Sequence, residues 1–251
     1  MNKEIKFKEE DAFGSLTLET ISKADKFNYW MYQTIKPFCK GKVLEIGSGI
    51  GNISGFFVKD NYDILLSDIR ASYCLKLKEK FKKSKNILGI ESINLTHPDF
   101  DKVYEIHLKK YDTVFALNVV EHIKNDLLAL ENCNKLLTEN GYAIILVPSY
   151  QKLFNYYDIE LGHYRRYNKK SLSNIFNKTN FEIIHKQYFN FIGLFGWYIN
   201  GSILKKKTIP KGQMQLYNTS VPIIKIIDKI IFCAMGLSTI IVAKKINKIP
   251  D

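Results

Sequence analysis

The stretch VLEIGSGIGNISGFF, residues 43–57, decides how the rest of the chain is read. Val43, Leu44 and Ile46 make a short apolar run suited to a buried parallel strand, and Ile53, Phe56 and Phe57 recur at helical spacing after it. Gly47, Gly49 and Gly51 therefore sit on a strand-to-helix turn. Glycine permits the sharp backbone angles of such a turn and removes side chains where a ligand must come close, and the helix start presents unpaired N–H groups. The turn is expected to cradle a nucleotide.

Outward from this turn, strand and helix signals alternate. Ile21, Ala24, Phe27, Met31, Ile35 and Phe38 predict one amphipathic helix over 18–38, ending near Pro37. Strands are predicted at 62–69, 86–93, 111–120 and 142–148, with helices at 71–84 and over 123–137, the latter stopped by Asn140-Gly141. This alternation argues for a parallel sheet covered on both faces. Beyond Pro148 the pattern loosens into SYQKLFNYYDIELGHYRRYN, read as an active-site insertion, before a helix at 169–178 and a strand at 181–189. Residues 190–220 carry no clear pattern. The isoleucine-rich stretch 223–234 predicts a helix packed on the sheet, with a membrane-surface helix as the alternative, and LSTIIVA predicts a last strand.

At 251 residues the chain is long enough for one sizeable α/β domain, and its composition, 46% hydrophobic and 25% charged, is that of a soluble globular protein. It is divided as a helical cap (1–40), a cofactor-binding core (41–148) and a substrate lid with the C-terminal strands (149–251). Cys39, Cys74, Cys133 and Cys233 form no C-x-x-C pair, so no metal site is expected and a reducing cytoplasm fits. The charged N-terminus is not a secretory signal, and the most apolar stretch, 221–243, is broken by Lys225, Asp228 and Lys229. The net charge of +12 is spread along the chain; only LKKK, 204–207, is dense, so the charge is read as a solvated surface rather than a nucleic-acid footprint.

In open α/β sheets the ligand lies at the carboxyl ends of the strands. A dinucleotide fingerprint needs glycine at its sixth position, where this chain has Asn52. Glu45, two residues before the glycine turn, instead suits a ligand with a cationic head, as S-adenosylmethionine has. Asp68 ends the second strand, where a carboxylate accepts ribose hydroxyls; Asn94 ends the third, placed for the adenine edge; and Asn118 opens NVVEHI after the fourth. Phe27, Tyr29 and Trp30 are candidates to close over the cofactor, with ordinary core packing as the alternative.

Taken together, VLEIGSGIGN, LLSDI, YDTVFALNVVEHI and LLTENGYAIILVPS resemble the motifs of the class I S-adenosylmethionine-dependent methyltransferases. FNYW (27–30), GHYRRYNKKSL (162–172) and GLSTIIVAKK (236–245) further resemble a bacterial subgroup of type 11/12-like, small-molecule and surface-glycan methyltransferases. The resemblance implies a Rossmann-like, doubly wound seven-stranded sheet in the order 3-2-1-4-5-7-6, its last strand antiparallel. It implies S-adenosylmethionine held by Glu45, Gly47, Gly49, Gly51, Asp68, Ile69, Asn94 and Asn118, with Trp30 closing over it. Two departures stand out: Asn94 where the family often has aspartate, and Asn140-Gly141 for a Gly-Gly pair, which is harmless because asparagine tolerates positive φ.

Methyl transfer to a hydroxyl needs a base, and histidine is the usual choice. His163 and His122 lie in ligand-side loops; His97 reads as a loop residue, and His107 and His185 as surface or strand positions. Tyr157, Tyr164, Arg165 and Arg166 crowd around His163 and are expected to bind the acceptor, the alternative being arginines that pair with Asp158 and Glu160. The expected function is methyl transfer, at oxygen rather than nitrogen, to a small-molecule, glycan- or lipid-linked acceptor. Peripheral membrane contact and oligomeric state stay open. The alternatives are an RNA methyltransferase, a noncatalytic protein retaining the cofactor fold, and an NAD-dependent oxidoreductase.

Overall fold

The computed structural model describes residues 12–206 and 211–246; residues 1–11, Lys207 of the basic cluster and the last residues of the chain lie outside that range. Two helices, α1 (Ala12–Ser22) and α2 (Asp25–Ile35), precede a βα alternation. Its elements are β1 (Val43–Ile46), α3 (Ser54–Lys59), β2 (Ile64–Ser67), α4 (Ala71–Lys80), β3 (Ile87–Glu91), α5 (Phe100–Val103), β4 (Tyr111–Leu117), α6 (Asp126–Leu136) and β5 (Leu137–Pro148). There follow α7 (Tyr156–Leu161), α8 (Lys169–Phe176), β6 (Phe181–Phe189), α9 (Phe191–Trp197), α10 (Lys211–Ile230) and β7 (Ser238–Lys245).

The seven strands form one sheet in the order β3-β2-β1-β4-β5-β7-β6, and only β7 runs antiparallel to its neighbours. Side chains alternate across it. Val114, Ala116, Ala143 and Ile145 join the core under α6 and α8, while Phe115, Ile144 and Leu146 join the opposite core with α2, α3 and α10. Burial on both faces is why these strands read as continuous apolar runs.

Several boundaries differ from the sequence reading. The single helix expected over 18–38 is two helices and a terminal 3-10 turn, broken at Lys23 and Ala24, where neither proline nor glycine marks the break. The helix before the fifth strand stops at Leu136 rather than at Asn140, because Leu137 already pairs with Tyr111; Asn140 instead takes the left-handed φ of +62° in an irregularity of the ladder. The unassigned 190–220 region contains α9, a π-helical turn (Tyr198–Ile203) and the first half of α10. Helix α10 extends twelve residues before Ile223 and runs through Pro222, a residue that ordinarily ends a helix.

Candidate active site

The register sets Ile46 beside Ser67 and Ala116, and Leu117 beside Leu146, so the segments after β1, β2, β4 and β5 leave the sheet along one edge. Gly47, Gly49 and Gly51 all take positive φ there, between +54° and +75°. A side chain at Gly47 would overlap Val119 Cγ2, so the turn after β4 packs against the glycine backbone. Asp68 holds the same turn from the other side: its Oδ2 accepts the Gly49 N–H (2.9 Å) and its Oδ1 the Arg70 N–H (2.9 Å). Beneath them Glu45 accepts a hydrogen bond from Ser54 Oγ. Burial pushes its carboxyl up to about 7 despite the serine hydrogen bonds, a charge state that a nearby cation would draw back toward the carboxylate.

Ile69 is exposed beside Asp68, and Asn118 is exposed at φ +56° where β4 ends. The Asn94 side-chain oxygen is engaged by the N–H and hydroxyl of Thr96 (2.9 and 3.0 Å), a turn that fixes the loop after β3. Trp30 lies in the core, its ring 4.2 Å from that of Phe189 and edge-on to Phe27. Instead, α1 covers the glycine turn: Leu18 lies against Gly49, and its carbonyl accepts from the Asn52 side chain (3.1 Å). Nothing in the sequence pattern marked that cover.

The segment after β5, expected from the sequence to be a lid, is built from α7 outward. Asn155 and Asp158 cap the helix reciprocally, and Gly162 ends it in the left-handed region at φ +76°, turning the chain so that the His163 N–H donates to the Asp158 carbonyl (2.8 Å). Asp158 Oδ1 then accepts from both His163 Nδ1 and Arg166 Nε, each at 2.8 Å. Burial works to raise the Asp158 carboxyl, but the His163 hydrogen bond and the Arg166 charge outweigh it and hold it low. Burial also lowers His163, more than Asp158 raises it. The pair is thus a carboxylate and a neutral imidazole that donates through Nδ1, which leaves Nε2 as the basic nitrogen.

The Tyr164 N–H donates to the Glu121 carbonyl (2.8 Å), tying this segment to the turn after β4. There the His122 ring meets His163 edge-on at 4.6 Å. His122 keeps an exposed face although protein surrounds it, and that crowding, together with the Arg70 charge, holds its pKa down. Glu121 is buried, its carboxyl pushed up to about 8 by desolvation. Donor atoms of Glu121, His122 and His163 lie within 4.8 Å of one another, a two-histidine, one-carboxylate set of a kind that also suits a divalent cation.

Arg166 follows the pairing alternative, held by Asp158 and by the Ser149 carbonyl (2.9 Å), with its guanidinium 4.5 Å from the Trp197 ring. Arg165 departs from it: its partners are Asp126 (2.8 Å) and the Lys124 carbonyl (2.7 Å) rather than Glu160. Tyr157 is buried against Trp197, and Tyr164 is half-buried. One histidine reading needs correction. His107 is no surface residue but is buried between Tyr111 Oη and Glu91, at 2.7 Å from each, and Trp197 joins the lid from a segment the pattern had left unassigned. Asn155 and Asp158 have the spacing of a helix capping box, the sequence signal available for Asp158.

The comparisons agree with this geometry. A family model described as a methyltransferase domain matches residues 23–186. Over 140 residues the chain is 26% identical to probable polyketide synthase 40 of Dictyostelium discoideum, a match covering 48% of this chain and 6% of that protein. The chain therefore spans only a small part of the length of the curated relatives it matches. Among solved structures, phosphoethanolamine N-methyltransferase 2 of Haemonchus contortus, in complex with S-adenosylmethionine, has a TM-score of 0.57 at 17% identity, covering 86% of this chain and 52% of that one. The carbon methyltransferase CurJ has a TM-score of 0.53 at 15% identity, covering 84% and 50%. A side-chain-free turn at the strand edge, an acid at the end of β2 and a buried carboxyl beneath the turn fit the cofactor of such enzymes. The chain belongs to the class I S-adenosylmethionine-dependent methyltransferases.

Proposed function

We propose that the protein methylates a hydroxyl oxygen of a small-molecule, glycan- or lipid-linked acceptor, with His163 as general base. The observation that carries this is the buried Asp158–His163 pair, which leaves a neutral imidazole with a basic Nε2. When bound, S-adenosylmethionine supplies a methyl group on a sulfonium, open to in-line displacement. The protein's part is alignment, exclusion of water and removal of one proton.

Gly47, Gly49 and Gly51 would give the cofactor backbone room, Asp68 would take its ribose and Glu45 would balance its charge, with Ile69, Asn94 and Asn118 on the same side and Leu18 of α1, rather than the core residue Trp30, over the turn. His163 Nε2 takes the hydroxyl proton as the oxygen gains the methyl group, and Asp158 steadies the resulting imidazolium; His122 stands next to it as the second candidate. Glu121 Oε2, Arg166 Nη2 and Trp197 Nε1 are buried without hydrogen-bond partners, and an acceptor's polar groups would satisfy them. Tyr157, Tyr164 and Arg165 flank the same side.

A second reading, methylation at carbon, is favoured by the polyketide synthase relative and the carbon methyltransferase neighbour. His163 would then take the proton from an activated carbon. The deciding experiment incubates the protein with methyl-labelled cofactor and separate lipid, glycan, metabolite and RNA fractions, then reads the carbon-13 shift of the new methyl group. An O–CH3 signal in lipid, glycan or metabolite supports the proposal; a C–CH3 signal supports the second reading; label in RNA alone, or in no fraction, overturns both.

A further inference from the structure

Helix α10 is apolar on two faces. Tyr217, Val221 and Ile224 pack inward, beside α2 and α9. On the outward side Leu216, Ile223 and Ile230 are spaced seven residues apart and are 70%, 66% and 68% exposed; Ile226 lies beside them, and Phe232, just beyond the helix, is 91% exposed. A helix docked by one face ordinarily shows polar residues on the other, and contiguous exposed apolar surface marks an interaction site. The expectation that this isoleucine stretch would simply pack on the sheet accounts for half of it.

Helix α9 repeats the arrangement. Its Trp197 faces the lid, against Tyr157 and the Arg166 guanidinium, while Phe195, Tyr198 and Ile199 are exposed. Ile203 and Leu204 follow, also exposed, and lead into Lys205 and Lys206. Across residues 191–235 there are six lysines and one acid, Asp228. That acid is buried, accepting the N–H groups of Asn190 and Phe191 at 2.6 and 2.9 Å. Of the described lysines here Lys205 and Lys229 are exposed, and Asp25, the acid that adjoins α10 from α2, is bonded by Asn218 (2.7 Å). A second copy would bring the same face and the same +12 charge, so like charges oppose self-association. Among the described residues no helix is long and apolar enough to cross a membrane.

We propose that α9 and α10 dock the protein on an anionic lipid bilayer, the isoleucines and aromatics entering the interface and the lysines meeting acidic headgroups. Because α9 carries Trp197 on its lid side, docking sets the lid beside the lipid surface, and the acceptor is then an amphiphile carried in that surface. This last step rests on the proposed acceptor class; the docking itself does not.

The test is co-sedimentation of the full chain with vesicles of phosphatidylcholine alone or mixed with phosphatidylglycerol. The wild type should sediment with the mixed vesicles, less so at high salt, and stay in solution with phosphatidylcholine alone. Ile223→Asp with Ile230→Asp should lower partitioning by about tenfold or more, because two apolar side chains are withdrawn from the interface. Lys205→Gln with Lys229→Gln should weaken the salt dependence. Both positions of the first variant are exposed, and an unchanged melting curve with S-adenosylhomocysteine checks its fold. A wild type that ignores anionic vesicles, a double aspartate variant that binds like wild type, or a wild-type dimer that this variant dissociates in the absence of lipid would each overturn the proposal. Vesicle binding without label in any lipid fraction supports docking while removing only the lipid-linked acceptor.

Discussion

Asp158 Oδ1 accepts hydrogen bonds from His163 Nδ1 and Arg166 Nε at the same distance, 2.8 Å, so one buried carboxylate oxygen sets both the tautomer of the candidate base and the charge balance of the lid. The oxygen leaves Nε2 of His163 as the nitrogen able to take a proton.

Replacing His163 by alanine is expected to lower kcat by about 10²- to 10⁴-fold, the usual worth of a general base. Affinity for S-adenosylhomocysteine should stay within about threefold, because the loss lies in the transition state. Turnover near that of the wild type would move the assignment to His122. A collapse of cofactor affinity would make His163 a latch on the cofactor side.

The acid limb of kcat should fall below the ordinary histidine value of about 6.5, since burial holds His163 low. A histidine buried neutral binds its proton less readily folded than unfolded, so the same group contributes stability that is lost as pH falls below 6.5. A pH–rate profile with its acid limb at or above 6.5 would contradict the assigned base.

Asp68→Ala should weaken cofactor binding by about 1.5–3 kcal/mol, the scale of hydrogen bonds to a charged group. It also removes the acceptor of the Gly49 N–H, so apo stability should drop in parallel. Calorimetry showing unchanged affinity would place the ribose elsewhere.

Glu121 makes stability pH-dependent in the opposite sense. Between its ordinary value near 4.5 and its buried value of about 8, the folded state holds a proton that the unfolded chain has lost. Raising the pH through that window withdraws stability, by up to about 1.4 kcal/mol per pH unit. Glu121→Gln should flatten this part of the curve and raise the melting temperature at pH 8 relative to wild type, leaving a smaller slope from Glu45. Parallel curves for the two proteins would show Glu121 to be ionised in the fold.

Gly47→Ala should cost about 1–3 kcal/mol and most of the cofactor affinity, because φ of +73° is unfavourable for alanine and the new methyl group would overlap Val119. Cofactor binding by this variant as tight as that of the wild type would remove the turn after β4 from the site.

Much was determined by the sequence alone. The glycine spacing, the continuous apolar strands and the alternation with helices specified a parallel sheet covered by helices, because such a sheet needs local runs of apolar residues that are visible one segment at a time, while its strand order followed from the resemblance of the motifs. The positions of Asp68 and Asn118 were legible for the same reason: each follows a strand whose end can be read. The tertiary structure decided what depends on contacts between distant segments. The cover of α1 over Gly49, the pairing of Arg165 with Asp126 rather than Glu160, and the burial of His107 against Glu91 leave no local periodicity. The outward face of α10 belongs with them: an isoleucine every few residues reads the same whether it meets a sheet or solvent, and only packing of the opposite face against its neighbours shows which side is left over.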